Sequence, residues 1–322
     1  TALNKTREVN PGDLIMSNSM SFGRPYILKI KSCIHDGWIA VTEIDEQTNR
    51  DYLYYLILSP KSQSYFLNNA AGSGVKNLNA DIIKLLPVLI PPKYPEQQKI
   101  ADCLSSIDAL ITAQSQKLEA LKAHKKGLMQ QLFPAEGENV PKLRFPEFQN
   151  KEKWKKRPFS KLFKIGGGKD HKHLLDGDVP VYGSGGFMRS VNKYLYDGES
   201  ACIGRKGTIN KPMFLTGKFW TVDTLFYTHS FQDCLPKFIF LLFQNINWLK
   251  LNEAGGVPSL SKVIINKIEV FIPEVNEQQK ITDCVSSIDA LITMQLQKIE
   301  TLKSHKKGLM QQLFPAVDEV DV

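Results

Sequence analysis

The chain is poor in cysteine, and what it has is scattered. Cys33, Cys103, Cys202, Cys234 and Cys284 show no CxxC spacing, which excludes a thiolate metal cluster and a disulfide framework. An odd, dispersed set predicts reduced thiols in a cytoplasmic protein. No run of 18 apolar residues occurs, so no membrane span is expected. The usual catalytic signatures are missing too: no GxxxxGK[ST] loop, no HExxH, no GxSxG elbow. GGGKD at 166–170 lacks the context of a phosphate loop and reads as a flexible turn. His171 and His173 lie two apart beside Lys169 and Lys172; they are too few for a metal, and suit a basic loop facing phosphate about as well as a plain surface loop. These absences predict a chain with no catalytic residue, metal or cofactor of its own. No signal peptide is visible, and Thr1 is not a natural start residue, so the chain reads as processed or truncated.

What is there is a repeat. Residues 96–134 (EQQKIADCLSSIDALITAQSQKLEALKAHKKGLMQQLFP) return without a gap at 277–315, differing only at 101, 104, 113, 115, 118, 120 and 123 of the first copy. The separation is too long for a solenoid and implies two similar halves, each a globular piece followed by one long helix. Within each copy apolar residues alternate at four and three. Ile100, Leu104, Ile107, Ile111, Leu118, Leu121, Leu128 and Leu132 form the first seam; Ile281, Val285, Ile288, Ile292, Ile299, Leu302, Leu309 and Leu313 form the second. Asn276 with Gln279 reads as a capping box, and Pro134 and Pro315 end the helices. At the middle of each seam sits a glutamine, Gln114 and Gln295. If the helices pair antiparallel the two amides meet, and any slip leaves one unsatisfied. Parallel pairing matches them too, but pseudo-twofold closure of duplicated halves favours antiparallel. Each helix would span roughly 57 Å at 1.5 Å per residue.

The pieces before the helices repeat more faintly. GVKNLNADIIKLLPVLIPP (74–92) matches GVPSLSKVIINKIEVFIPE (256–274), and NPGDLIM (10–16) lies where YDGESACI (196–203) sits. Short β-rich runs bounded by Gly, Asn and Asp, with apolar helices at 51–58 and 237–249, make each piece mixed α/β. Trp38 and Trp220 follow at similar offsets and read as core anchors. The counterpart of residues 153–187 is absent from the first half, so that domain reads as incomplete.

Charge is unequal as well. The net charge is +8, and the excess lies in residues 144–273, most densely at Lys151, Lys153, Lys155, Lys156, Arg157, Lys161, Lys164, Lys169 and Lys172. A localised basic stripe is the footprint of a polyanion. Candidate DNA contacts in the second piece are Lys169, His171, Lys172, His173, Tyr182, Ser184, Arg189, Lys193, Arg205, Lys206, Thr208, Asn210 and Lys211, carried on Gly-rich loops. Lys and Ser/Thr suit phosphates; Arg and Asn can read base edges. In the first piece the candidates are Asn18, Ser19, Ser21 and Arg24.

HKKGLMQQLFP at the helix ends, the EQQKI starts, the PKLRFPEF re-entry at 141–148 and the two-copy layout resemble the specificity (S) subunit of Type I restriction-modification enzymes. The resemblance implies a partial first target recognition domain at 1–92, a spacer helix and linker at 93–141, a second recognition domain at 142–274, and a second spacer helix and tail at 275–322. It implies a mixed α/β fold with two recognition domains joined by antiparallel coiled-coil helices. Its function would be non-catalytic reading of a bipartite double-stranded DNA target. Two methyltransferase (M) subunits and restriction (R) subunits would be the partners, carrying S-adenosylmethionine, ATP and Mg. A stand-alone two-headed DNA-binding or architectural protein is the alternative.

Overall fold

The computed structural model describes residues 7–19, 23–70, 77–135 and 137–315. In chain order the elements are β1 (Arg7–Val9), β2 (Leu14–Ser17), β3 (Pro25–Ile27), β4 (Ser32–Ile34), β5 (Trp38–Val41), α1 (Arg50–Leu58), α2 (Pro60–Asn69), α3 (Ala80–Lys84) and α4 (Tyr94–Leu132). They continue with β6 (Lys155–Pro158), β7 (Lys164–Gly167), β8 (Val179–Gly183), β9 (Gly186–Val191), β10 (Tyr196–Asp197), β11 (Ser200–Gly204), β12 (Met213–Leu215), β13 (Lys218–Thr221) and β14 (Leu225–His229). Last come α5 (Pro236–Asn245), α6 (Lys262–Lys267), β15 (Glu269–Ile272) and α7 (Val275–Leu313). They form two compact units: residues 1–119 with 293–322, and residues 120–292.

In the first unit β1 pairs with β4, and β3-β2-β5 form a three-stranded antiparallel sheet. Leu14 and Met16 of β2 point into a core with Ile57, Phe66 and Leu78. Asn49 caps α1 by accepting from Tyr52 N, and Ser59 followed by Pro60 stops α1 and opens α2.

The second unit repeats this pattern and adds to it. β10-β13 and β12-β11-β14 have the strand order of β1-β4 and β3-β2-β5, with β8 and β9 added beside β13 and β7 beside β14. β6 pairs with β15. The added strands, β6 to β9, come from residues 155–191, the stretch without a counterpart in the first unit. Two readings change here. By this topology Trp38 opens the strand that matches β14, so it is not the equivalent of Trp220 on β13. Trp220 is buried with its indole donating to Lys169 O, whereas Trp38 is half-buried against Tyr26. Nor is GGGKD wholly a flexible turn: Gly166 and Gly167 lie in β7 opposite Tyr227 and Phe226. A Cβ on Gly166 would sit 2.1 Å from the Tyr227 ring, so the glycine is a packing requirement.

The helix ends follow the sequence signals at Pro134 and Pro315. The capping box does not form. Helix α7 begins at Val275, and the Gln279 side chain turns forward to Asp283. The neighbouring Gln278 ties the start down instead, accepting from Leu235 N and donating to Asp233 O and Pro273 O.

Each unit contains one half of α4 and of α7, and in each the two run antiparallel. In the first unit Leu104 clusters with Met310 and Phe314, and Lys306 reaches Asp108 at 2.6 Å. In the second, Met129 and Leu132 cluster with Ile281 and Val285, and Lys125 reaches Asp289 at 2.6 Å. These ion pairs are the same repeat pair seen twice, each using a lysine that would otherwise interrupt the apolar seam. Among the described residues no helix is long and apolar enough to cross a membrane.

Candidate nucleic-acid interface

The seam glutamines meet. Gln295, 6 % exposed, donates through Nε2 to Gln114 O at 2.9 Å and to Gln114 Oε1 at 2.8 Å. The contact lies within the first unit, so the register expected from the sequence is formed.

The candidate DNA contacts of the second unit fall into separate groups. One forms where two Gly-rich loops meet. The β8–β9 turn brings Ser184 beside Gly207, and Ser184 N donates weakly to Thr224 Oγ1. The loop after β11 is pinned by Arg205 N to Thr224 O, Gly207 N to Pro258 O, and a bridge between Lys206 and Ser259. A Cβ on Gly204 would lie 2.1 Å from Thr208 O, so only glycine permits this tight loop. Arg205 and Lys206 are exposed there, with Arg205 Nη1 donating to Asp223 O at 3.3 Å. Together with Lys262, Ser261 and Phe226 they line an open cleft of about 650 Å³. Thr208 is half-buried, and Asn210 and Lys211 are exposed farther along the same loop.

A second group surrounds β13. Lys169 is held through its backbone by Thr221 O and Trp220, and the His173 ring packs edge-on against Trp220. Lys169, Lys172 and His173 are exposed; His171 Nδ1 is buried without a hydrogen-bond partner among the described residues. Arg189 is paired with the exposed Asp176, and Lys193 is exposed. Tyr182 is half-buried, its ring edge-on to Phe187 and packed on the cluster of Cys202, Phe219 and Leu225.

The basic stripe is not one surface. Lys155, Lys156 and Arg157 are taken up by Glu152, Glu269 and Asp233. Lys164, by contrast, lies near Lys262 at the partly buried His229. Burial, then the Lys164 and Lys262 charges, hold this imidazole below its ordinary 6.5. Lys262 and Thr224 were not singled out from the sequence. Lys262 stands in a short helix just after its Ser261 cap, with Lys267 five positions on but no basic run to signal it.

In the first unit Asn18 serves the fold. Its Nδ2 donates to Asp36 O, its backbone binds Gly37 and Leu78, and Oδ1 is buried without a partner among the described residues. Arg24 is exposed over the Tyr26 ring, Ser19 is half-buried, and Ser21 lies outside the described residues. A concavity of about 690 Å³ in this unit is lined by Arg7, His35, Trp38 and Lys84 together with Asp36 and Glu43, so its charges balance. All five cysteines are free; burial raises Cys202 to about 12 and Cys234 to about 11. Among the described residues no His, Cys, Asp or Glu cluster could hold a metal.

The model of the Type I restriction modification DNA specificity domain matches residues 1–123 and 151–304. The Type I restriction enzyme MjaVIII specificity subunit of Methanocaldococcus jannaschii is 22 % identical, over 97 % of this chain and 80 % of its own. The putative MjaX specificity subunit of the same organism is 25 % identical, over 82 % of this chain and 67 % of its own. The crystal structure of a Type I restriction-modification S subunit from M. genitalium superposes with a TM-score of 0.67 at 16 % identity, covering 98 % of this chain and 85 % of that one. A chain from a structural study of type I R-M complex assembly and conformational transition gives 0.63 at 11 %, covering 96 % and 83 %. These likenesses show a shared fold.

Proposed function

The chain belongs to the Type I restriction-modification DNA specificity family, and from that premise we propose that it reads a bipartite double-stranded DNA target without catalysing a reaction itself. Methyltransferase and restriction subunits act at the target it selects. The observation that carries the reading is the duplicated unit with its antiparallel helix pair. The same Asp–Lys ion pair occurs in both units, and the paired glutamines set a single register.

In the second unit, Arg205, Lys206 and Lys262 form the base- and phosphate-contacting cleft, with Ser184, Thr208, Asn210 and Lys211 on the adjoining loops. Lys169, Lys172, His173, Arg189 and Lys193 extend the contact from the β13 side. Support comes from the exposure of Arg205, Lys206, Lys262, Lys169, Lys172, His173 and Lys193, from glycines that let backbone approach closely, and from His229, whose pKa is held down by burial and then by the Lys164 and Lys262 charges. S-adenosylmethionine, ATP and Mg belong, on this reading, to the partner subunits, of which two are methyltransferases.

The test is a gel-shift salt series with the cognate site, obtained from the methylome of the source cell. Affinity falls steeply with salt. Lys262→Ala weakens binding to all sequences alike, and Arg205→Ala costs about 1–3 kcal/mol and relaxes preference at one base position. Salt-independent binding, or none, refutes the reading. Methyltransferase subunits co-purify with the chain; their absence would favour a stand-alone DNA-binding protein.

A further inference from the structure

The β8–β9 hairpin of the second unit ends in a tip whose apolar side chains the fold leaves in water. Gly183 pairs with Gly186, so Ser184 and Gly185 form a two-residue turn. Behind it Tyr182 pairs with Phe187 and Val181 with Arg189, which makes Met188 the extra residue of a β-bulge. A bulge re-aims side chains out of strict alternation. Phe187 and Met188, consecutive in sequence, are both exposed, at 62 % and 52 %.

The tip is firmly held. Val222 N donates to Tyr182 O, Ser184 N donates to Thr224 Oγ1, and the Phe187 ring lies edge-on to Tyr182 at 6.1 Å. A Cβ on Gly207 would come within 3.3 Å of Ser184 Oγ, so the turn rests on the loop that carries Arg205 and Lys206. Gly185 differs from its neighbouring glycines. A Cβ on Gly183 would lie 3.0 Å from Met188 Sδ, whereas one on Gly185 would meet nothing within 4 Å among the described residues. Its φ is also outside the left-handed region. Neither packing nor backbone conformation calls for glycine there, which leaves close approach to a ligand as its use. Cations stand around the tip. Arg205 and Lys206 are exposed, and residues 182–193 hold Lys193 and the Asp176-paired Arg189 but no carboxylate of their own.

We propose that Phe187, with Met188 next to it, is a wedge that enters a stacked base step of the double-stranded target and unstacks it. This rests on the DNA-reading function above and adds how the second unit deforms its half-site. Exposed Arg205 and Lys206 suit the phosphates beside a base step, and an apolar ring suits the faces of the bases it separates. Unstacking costs free energy, which burial of Phe187 offsets. The cost is least at pyrimidine–purine steps, so the wedge adds sequence preference where no base edge is hydrogen-bonded.

The probe is a set of duplexes carrying the methylome-derived site. Each has 2-aminopurine for one adenine or pyrrolocytosine for one cytosine, so that together they sample every base pair. Stacking quenches both analogues. The full chain is added without methyltransferase subunits, which keeps base flipping out of the signal. Analogues flanking one step should brighten at saturation. Phe187→Ala should lose that brightening and bind about tenfold more weakly with an unchanged salt slope, because it removes a stacking contact and no charge. Phe187→Tyr should restore both. Phe187 is exposed, so both variants should keep the parent thermal midpoint. Salt-dependent binding with no brightened step, or Phe187→Ala matching the parent in affinity and brightening, overturns the wedge and leaves DNA reading standing. Absence of salt-dependent binding by the parent chain overturns both. Loss of methyltransferase co-purification in Phe187→Ala, with DNA binding and brightening unchanged, also overturns the wedge and makes a protein the occupant.

Discussion

Arg144 shows how much rests on single side chains here. Its guanidinium and the Glu277 carboxylate are 7 % and 2 % exposed, and the arginine also donates to Lys151 O and Glu152 O. Removing one partner strands a buried charge, so Arg144→Ala should cost about 3–5 kcal/mol in urea unfolding. His229 gives a pH-dependent outcome. Its folded pKa is depressed below 6.5, so the unfolded chain takes up the proton first as pH falls. The stability this residue contributes is fully present above about pH 6.5 and is lost as pH drops through the lower, folded value. His229→Gln should flatten that part of the stability–pH curve. A bound polyanion offsets Lys164 and Lys262, so in an NMR titration DNA should move the His229 pKa upward; an unmoved pKa would place the DNA elsewhere. Neither environment was legible in the sequence. Arg144 and Glu277 are 133 positions apart, and nothing local marks them as partners.

At the scale of elements, the helix pair was the most readable part. Its seam positions are buried or half-buried throughout, because a heptad repeat brings residues four and three apart onto one stripe. Gln295→Leu alone should cost about 1–2 kcal/mol in chemical denaturation, since it leaves the half-buried Gln114 amide unpaired. Adding Gln114→Leu should recover that loss, and the coupling of the double-mutant cycle measures the contact. The strands were less readable. GGGKD gave no alternating pattern because Gly166 is small to admit the Tyr227 ring, a demand made by another strand. The capping box failed because Gln278, one position earlier, found three backbone partners in its own unit.

For the whole molecule, the interaction surfaces are what remain after packing is satisfied. Leu110 in the first unit and Leu291 in the second hold the same repeat position on their helices, and both stay exposed, at 41 % and 50 %. Off-seam leucines recurring at the same position of a duplicated helix suit an equivalent apolar partner contact in each unit. Leu110→Asp or Leu291→Asp should reduce co-purification of methyltransferase subunits while leaving the thermal midpoint nearly unchanged; unaltered recovery would put that partner elsewhere. The basic stripe carries the opposite lesson. Lys155, Lys156 and Arg157, a third of its densest run, are paired with Glu152, Glu269 and Asp233, and exposed charge gathers instead around Arg205, Lys206 and Lys262.

The sequence by itself determined the duplication, the two long helices, their glutamine register and the extra segment of the second unit. These are properties of spacing and self-similarity along one chain. Tertiary structure decided which lysines stay free, which glycines are packing requirements, that Trp38 and Trp220 are not equivalents, and that Glu277 is buried while Glu96 is open. Each of those depends on what a distant segment places against the residue.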